Sequence, residues 1–371
     1  MASAVIRFAK WTFVVLLLLV LAAAIAGFFL IRAFIEPDRD RFGTVQDEAM
    51  QAGLERTDFT AAGEPYFAAM DKGLLLPPAA GEPYPDEILE VAEITDLEPE
   101  EVRRAAIRGQ NTWTVWTGGN DRFWDYAART AIGSFDLLKI LSSHPSQAYG
   151  RYNRWRWLGL VNEPCFEQAR EGDPDYGLWL DRRVGDCPED PFGGNPEADA
   201  RYPGVAIGAR GDTVPTGSYY GEPSGIVGLR LFPNPDFDAA AAERWDAERF
   251  YNDPAYYNDA DLVRPYRVGM SCAFCHVGPN PIRPPEDPEN PRWSELTSNP
   301  GAQYFWVDRI FFWNTRPREE TGVPAANEGN FLYQIFHTNP PGSLDTSLVS
   351  TDYMNNPRTM NAVYEVGARI A

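Results

Sequence analysis

The hydrophobic pattern of this chain changes character once, early. Trp11 to Ile31 is a run of 21 residues without a charge, rich in Leu, Val and Ala, and at about 1.5 Å per residue a helix of that length spans roughly 30 Å of hydrocarbon. Trp11, Phe28 and Phe29 stand near its two ends, where aromatic rings favour the headgroup level. The run predicts a retained membrane anchor over residues 1–35. The alternative is a secretory signal cut near Ala24-Ile25-Ala26, but the apolar stretch continues past that point to Ile31. Arg7 and Lys10 before the span are matched by Arg32, Arg39 and Arg41 after it, so flanking charge does not orient the helix.

Beyond the anchor, apolar positions recur at helical spacing in short stretches. Asp86–Ile94 and Glu98–Arg108 read as helices, the second with Pro99 in its first turn and acidic residues ahead of basic ones. Phe123–Leu141 reads as the longest, with Phe123, Ala127, Ala131, Phe135, Leu138 and Leu141 on one face, and Asp236–Phe250 as a further one. Ile226–Phe232 is the one credible strand, whereas Arg264–Ser271 makes a poor one. Pro/Gly/Asp-rich stretches at 185–221 and 277–300, within a total of 32 Pro and 31 Gly, predict a loop-rich protein held by aromatic packing. Arg210-Gly211-Asp212 reads as a turn.

Charge narrows the partners. Removing the three basic residues of the first 35 from 33 basic and 53 acidic leaves a net charge of −23 on the remainder. Nucleic acid and anionic lipid are not expected as partners; a basic docking face on a partner protein is the complementary expectation, and solubility alone is the alternative reading of most of the charge.

The chemistry is concentrated in Cys272-Ala273-Phe274-Cys275-His276. Two thiols separated by two residues, followed directly by histidine, have the spacing that attaches one haem covalently, the thiols bonding its vinyl groups and the imidazole binding its iron. With 4 Cys and 3 His in the chain, chance placement is a poor explanation. Three chemical rivals stand beside haem. Redox thiols want a strand before the first Cys and a helix opening at it. Structural zinc needs further ligands, and the other Cys and His residues, Cys165, Cys187, His144 and His337, are remote in sequence. The third is a surface disulfide. Cys165 and Cys187 are expected to form a disulfide of their own, closing a loop worth about 3 kcal/mol, with two buried thiols as the alternative.

A c-type haem fixes topology, because thioethers are made outside the cytoplasm. The expectation is a single-pass inner-membrane protein with its C-terminal domain in the periplasm. His276 is the proximal ligand, its second ring nitrogen donating to a backbone carbonyl near a Gly278-Pro279 turn. The sixth iron position has several candidates: His337, Met360, Met354, the sequence-distant His144, or an open site. Met270 lies too close to Cys272 to reach the opposite face. A Met or His there restricts the iron to electron transfer, and an open site admits oxygen or peroxide. Tyr304, Phe305, Trp306, Phe311, Phe312 and Trp313 suit a dry pocket, although packing is their default role.

The stretch Met270–Pro279, together with Asn355-Asn356-Pro357-Arg358-Thr359-Met360-Asn361, resembles large bacterial di-haem cytochromes c, and more distantly di-haem peroxidases and haem rubber oxygenases. The resemblance covers about the last 110 residues and implies a mainly helical cytochrome c fold with a second haem domain. One haem motif is present, so the chain is either shortened or lacks the second haem. The expected architecture is therefore mainly α with long irregular loops: an anchor (1–35), a charged helical neck (36–110), a haemless aromatic-rich domain (111–260) and a cytochrome c-like haem domain (261–371). The expected function is electron transfer through one covalent haem c. The alternatives are a haem peroxidase or oxygenase, and a structural or docking subunit of a larger membrane redox complex.

Overall fold

A computed structural model describes residues 2–35, 63–130, 136–192, 220–234, 236–300, 304–306, 309 and 310. The first unit contains α1 (Ala2–Ile35), one helix long and apolar enough to cross a membrane.

The second unit begins with α2 (Asp86–Thr95) and α3 (Pro99–Val115). Pro99 sits at the first turn of α3, where its missing N–H is no loss. The Glu101 carboxylate accepts from the Glu98 N–H at 3.3 Å, starting the helix cleanly. Ile88, Ala92, Val102 and Ile107 then bury one face of each helix against Ala68 and Leu75.

Aspartates punctuate the chain after α3. The helix expected over 123–141 is α4 (Asp121–Thr130) and a separate α5 (Leu137–Leu141). Asp136 has extended backbone, and its carboxylate accepts from the N–H groups of Leu138 and Lys139, so the chain starts a new helix there. After α6 (Arg154–Leu158) come two short strands, β1 (Phe166–Glu167) and β2 (Arg182–Arg183), paired antiparallel. Cys165 and Cys187, beside this pair, are disulfide-bonded with Cα atoms 5.7 Å apart. Next are β3 (Glu222–Pro223) and β4 (Leu229–Pro233). The helix expected over 236–250 is again divided, into α7 (Ala239–Arg244) and α8 (Ala247–Asn252), because the Asp246 carboxylate caps the Arg249 N–H. The short α9 (Pro254–Tyr257) comes after it, capped by Asp253.

The expectation of a mainly α, cytochrome c-like domain after residue 260 is overturned. That segment opens with a strand, β5 (Tyr266–Met270), continues through a single helical turn, α10 (Ala273–His276), and then forms β6 (Val277–Pro279) and β7 (Leu296–Ser298). β5 pairs antiparallel with β4 in the register Leu229↔Met270 to Pro233↔Tyr266, in a three-stranded sheet of order β3-β4-β5. β6 pairs with β7 as a separate two-stranded sheet. The described haem-motif segment is therefore built into antiparallel sheet rather than into a helical haem domain. Two arginines in this stretch, Arg264 and Arg267, have acidic partners. Arg264 reaches Asp136 at 2.9 Å, and Arg267 bonds Asp236, so burying them leaves no lone charge. Gly278 and Pro279 lie in strand β6 rather than in a turn.

The main core gathers α5, Tyr149, Trp157, β4, α8 and Phe274. Within it Asp181 is shared by two buried guanidiniums, Arg151 at 3.1 Å and Arg154 at 2.8 Å. Arg154 also reaches Asn162 and the Leu141 carbonyl, so the network ties α6 to α5.

Candidate functional site

The Cys272–His276 turn is held from three sides. Below it, β5 delivers the chain to Ser271, whose N–H donates to the Gly228 carbonyl at 2.8 Å and whose hydroxyl donates to the Thr114 carbonyl at 2.6 Å. Gly228 has φ +82°, and a Cβ there would lie 2.0 Å from the Phe274 nitrogen. Only glycine permits so close an approach. Behind the turn, Phe274 packs 5.1 Å from Phe305, and the Tyr304 N–H donates to the Cys275 carbonyl at 3.1 Å. Beyond it, the Asn299 N–H donates to the His276 carbonyl at 2.8 Å, and β6–β7 is anchored by Asp71, which accepts from the Ser298 N–H and hydroxyl.

Within the turn, the N–H groups of Cys275 and His276 both donate to the Cys272 carbonyl, at 3.2 and 3.3 Å. The two cysteines are thus three residues apart on one helical turn, and His276 is four from Cys272, on the same face. Cys272 is exposed, Cys275 is buried, and neither is disulfide-bonded. The His276 ring is half-buried, with its centroid 6.3 Å from that of Trp113 on α3.

With a strand before Cys272 and a helical turn opening at it, the motif has the local geometry that redox thiols require, although Arg264–Ser271 reads as a poor strand from sequence alone. The electrostatics point the other way. Burial raises the Cys272 thiol above its ordinary value, and burial with the neighbouring thiol pushes Cys275 up to about 12. An exchange-active dithiol needs a lowered pKa at its leading cysteine. For zinc, no three His, Cys, Asp or Glu side chains gather around one point among the described residues. Covalent haem asks for different things: two unpaired thiols one turn apart, an adjacent imidazole, and apolar surface beside them. Cys272, Cys275 and His276 have that spacing on one turn, and Trp113 lies beside the imidazole; of the two thiols Cys272 is exposed, while Cys275 and Phe274 are buried in the core.

Of the sixth-ligand candidates, His337, Met354 and Met360 lie outside the described residues, as do Phe311, Phe312 and Trp313. Arg210-Gly211-Asp212 is also outside them. His144 stacks on Tyr251 at 4.0 Å, sits edge-on to Trp179, and has Nε2 3.7 Å from Glu248, a packing position on the α8 side of the core. Met270 is fixed at the end of β5 by Asn120. Sequence reasoning overlooks Asn120, Thr114 and Gly228. None carries distinctive chemistry, and each acts through a backbone contact made across more than 40 positions of chain.

No protein-family model, curated protein or solved structure matches this chain.

Proposed function

We propose that the protein is a membrane-anchored c-type cytochrome that transfers electrons through one haem c bonded to Cys272 and Cys275, with His276 as proximal ligand, on the periplasmic side of an inner membrane. The observation that carries this reading is a contrast between its cysteines. Cys165 and Cys187 are joined, while Cys272 and Cys275, on one helical turn beside His276, are not. When bound, haem c supplies one-electron iron chemistry.

The chain's own residues supply position and enclosure. Ser271 and Gly228 seat the turn, Phe274 and Phe305 keep water from its buried side, and Trp113 flanks the imidazole. The acidic balance of the chain fits docking on a basic partner face, with an association rate that falls as salt rises.

The test is the mass of the mature polypeptide together with extraction by acidified organic solvent. The expected result is one haem beyond the mass of the amino acids, retained on extraction and lost in a Cys272→Ala, Cys275→Ala chain. A mass equal to that of the amino acids alone rejects the reading. A spin-resonance spectrum of the ferric protein then distinguishes His/His, His/Met and open coordination.

A further inference from the structure

The disulfide borders a cleft. Its volume is about 430 Å³, and it is lined by Tyr66 and Trp293, by Pro188 and Cys165, and by the carboxylates of Glu64 and Glu189. The Tyr66 and Trp293 rings stand 6.0 Å apart with their planes 67° from parallel, so they form a corner rather than a stack. The corner is rigid: Phe67 packs edge-on against both, at 4.9 Å from each, and itself stacks on the buried Phe192. The opposite wall is pinned by the Cys165–Cys187 bond, which fixes the start of the Pro188-Glu189 segment. Rings and wall are in place before any ligand arrives.

The charge of the cleft is one-sided. Glu64 and Glu189 are exposed at its edge, and no Lys or Arg lines it among the described residues. Two guanidiniums adjoin lining residues and both are engaged: Arg292, next to Trp293 in sequence, pairs with Glu295, and Arg183 contacts Tyr66. Arg183 donates to the Tyr66 hydroxyl at 3.0 Å and to the Pro188 carbonyl at 2.8 Å, and it faces Glu163 at 3.7 Å. Aromatic faces present negative potential to a cation, and in water the net gain favours one that carries its charge on an apolar shell, because little hydration is lost on binding. Two aromatic walls, apolar proline and two rim carboxylates suit that kind of cation better than a metal ion, which requires converging oxygen ligands.

We propose that the Tyr66–Trp293 cleft binds a small quaternary ammonium ion, with the charged head in the aromatic corner and the carboxylates of Glu64 and Glu189 opposite it. The site is independent of the haem motif and stands or falls separately from it.

The experiment is calorimetric titration of the full chain in a maltoside detergent, which has no ammonium headgroup. Three probes are compared: choline, 3,3-dimethylbutan-1-ol, in which carbon replaces the charged nitrogen, and a proline-rich peptide containing arginine. Choline is expected to bind at least about tenfold more tightly than the neutral isostere. Trp293→Leu is expected to weaken choline by about tenfold or more, and Glu189→Gln, at an exposed position that leaves the fold unchanged, by a few-fold. Equal affinity for choline and its isostere overturns the proposal, as does choline binding unaffected by Glu189→Gln. An absence of choline binding, or tighter binding of the peptide, also overturns it.

Discussion

Asn120 and Met270 are joined by a reciprocal pair of hydrogen bonds: the Asn120 amide donates to the Met270 carbonyl at 2.7 Å, and the Met270 N–H donates to Asn120 Oδ1 at 2.9 Å. The two residues are 150 positions apart. The side-chain amide thus acts as an added strand at the end of β5, two residues before Cys272.

Asn120→Leu removes both bonds and leaves a half-buried N–H and C=O at the entrance to the motif. The expected loss is about 1–3 kcal/mol of unfolding free energy. Faster hydrogen exchange should appear at Met270 and Ser271 before it appears elsewhere in β5. Unchanged exchange at those two amides would show that β4 pairing alone holds the motif.

Gly228→Ala tests the seat of the turn. The substitution puts a methyl carbon 2.0 Å from the Phe274 nitrogen on backbone with φ +82°. Neither atom is the end of a flexible side chain, so the turn itself must move. The expected result is more than about 3 kcal/mol of destabilisation and, in haem-free protein, faster alkylation of the Cys275 thiol. Gly185→Ala, where an added carbon meets nothing within 4 Å, is the control and should stay within about 0.5 kcal/mol of the parent.

These two positions show where the sequence is readable and where it is not. The long apolar helix α1, α2, the start of α3 and the Cys165–Cys187 bond each arise from a local signal: an uncharged run, helical periodicity, a proline with a cap, an even cysteine pair. The breaks at Asp136 and Asp246 are signalled too, by cap residues inside otherwise periodic runs, but periodicity outweighs them. β5 is hidden because Arg264 and Arg267 look solvated until Asp136 and Asp236 are brought to them by the fold. Gly228, Thr114 and Asn120 work through backbone contacts set by tertiary approach, and sequence pattern carries no trace of that.

Glu163 gives a pH signature on the acid side. Its side chain is buried, and burial raises its carboxyl to about 7, with Asp190 adding to the effect and Arg230, Arg183 and Arg151 opposing it. Between the unfolded value of about 4.5 and 7 the folded chain holds the extra proton, so the stability this residue contributes is complete at low pH and is lost as pH rises through 7. Relative to Glu163→Gln, which stays neutral, the parent should lose roughly 1 kcal/mol per pH unit between pH 5 and 7. Parallel denaturation curves across that window would mean that Arg183 and Arg230 keep Glu163 ionised.

Lys139 predicts the opposite slope at higher pH. It is buried in α5, and its ammonium lies 3.6 Å from the Tyr257 ring centroid and 4.5 Å from that of Phe250, while donating to the Phe250 carbonyl. Burial lowers its pKa to about 7; Asp136 works against that shift and Arg264 adds to it. Between 7 and the unfolded value of 10.5 the unfolded chain carries one proton more than the folded chain, so stability rises with pH in that range. Lys139→Met fills the same volume without a titrating group. Subtracting its unfolding free energy from the parent's at each pH removes the shared contributions of tyrosines and thiols. The difference should move in the parent's favour by about 1 kcal/mol per unit from pH 7.5 to 9.5. A flat difference would show that the aromatic rings and the Phe250 carbonyl hold the ammonium charged, and that Lys139 joins α5 to α8 and α9 as a cation at every pH in that range.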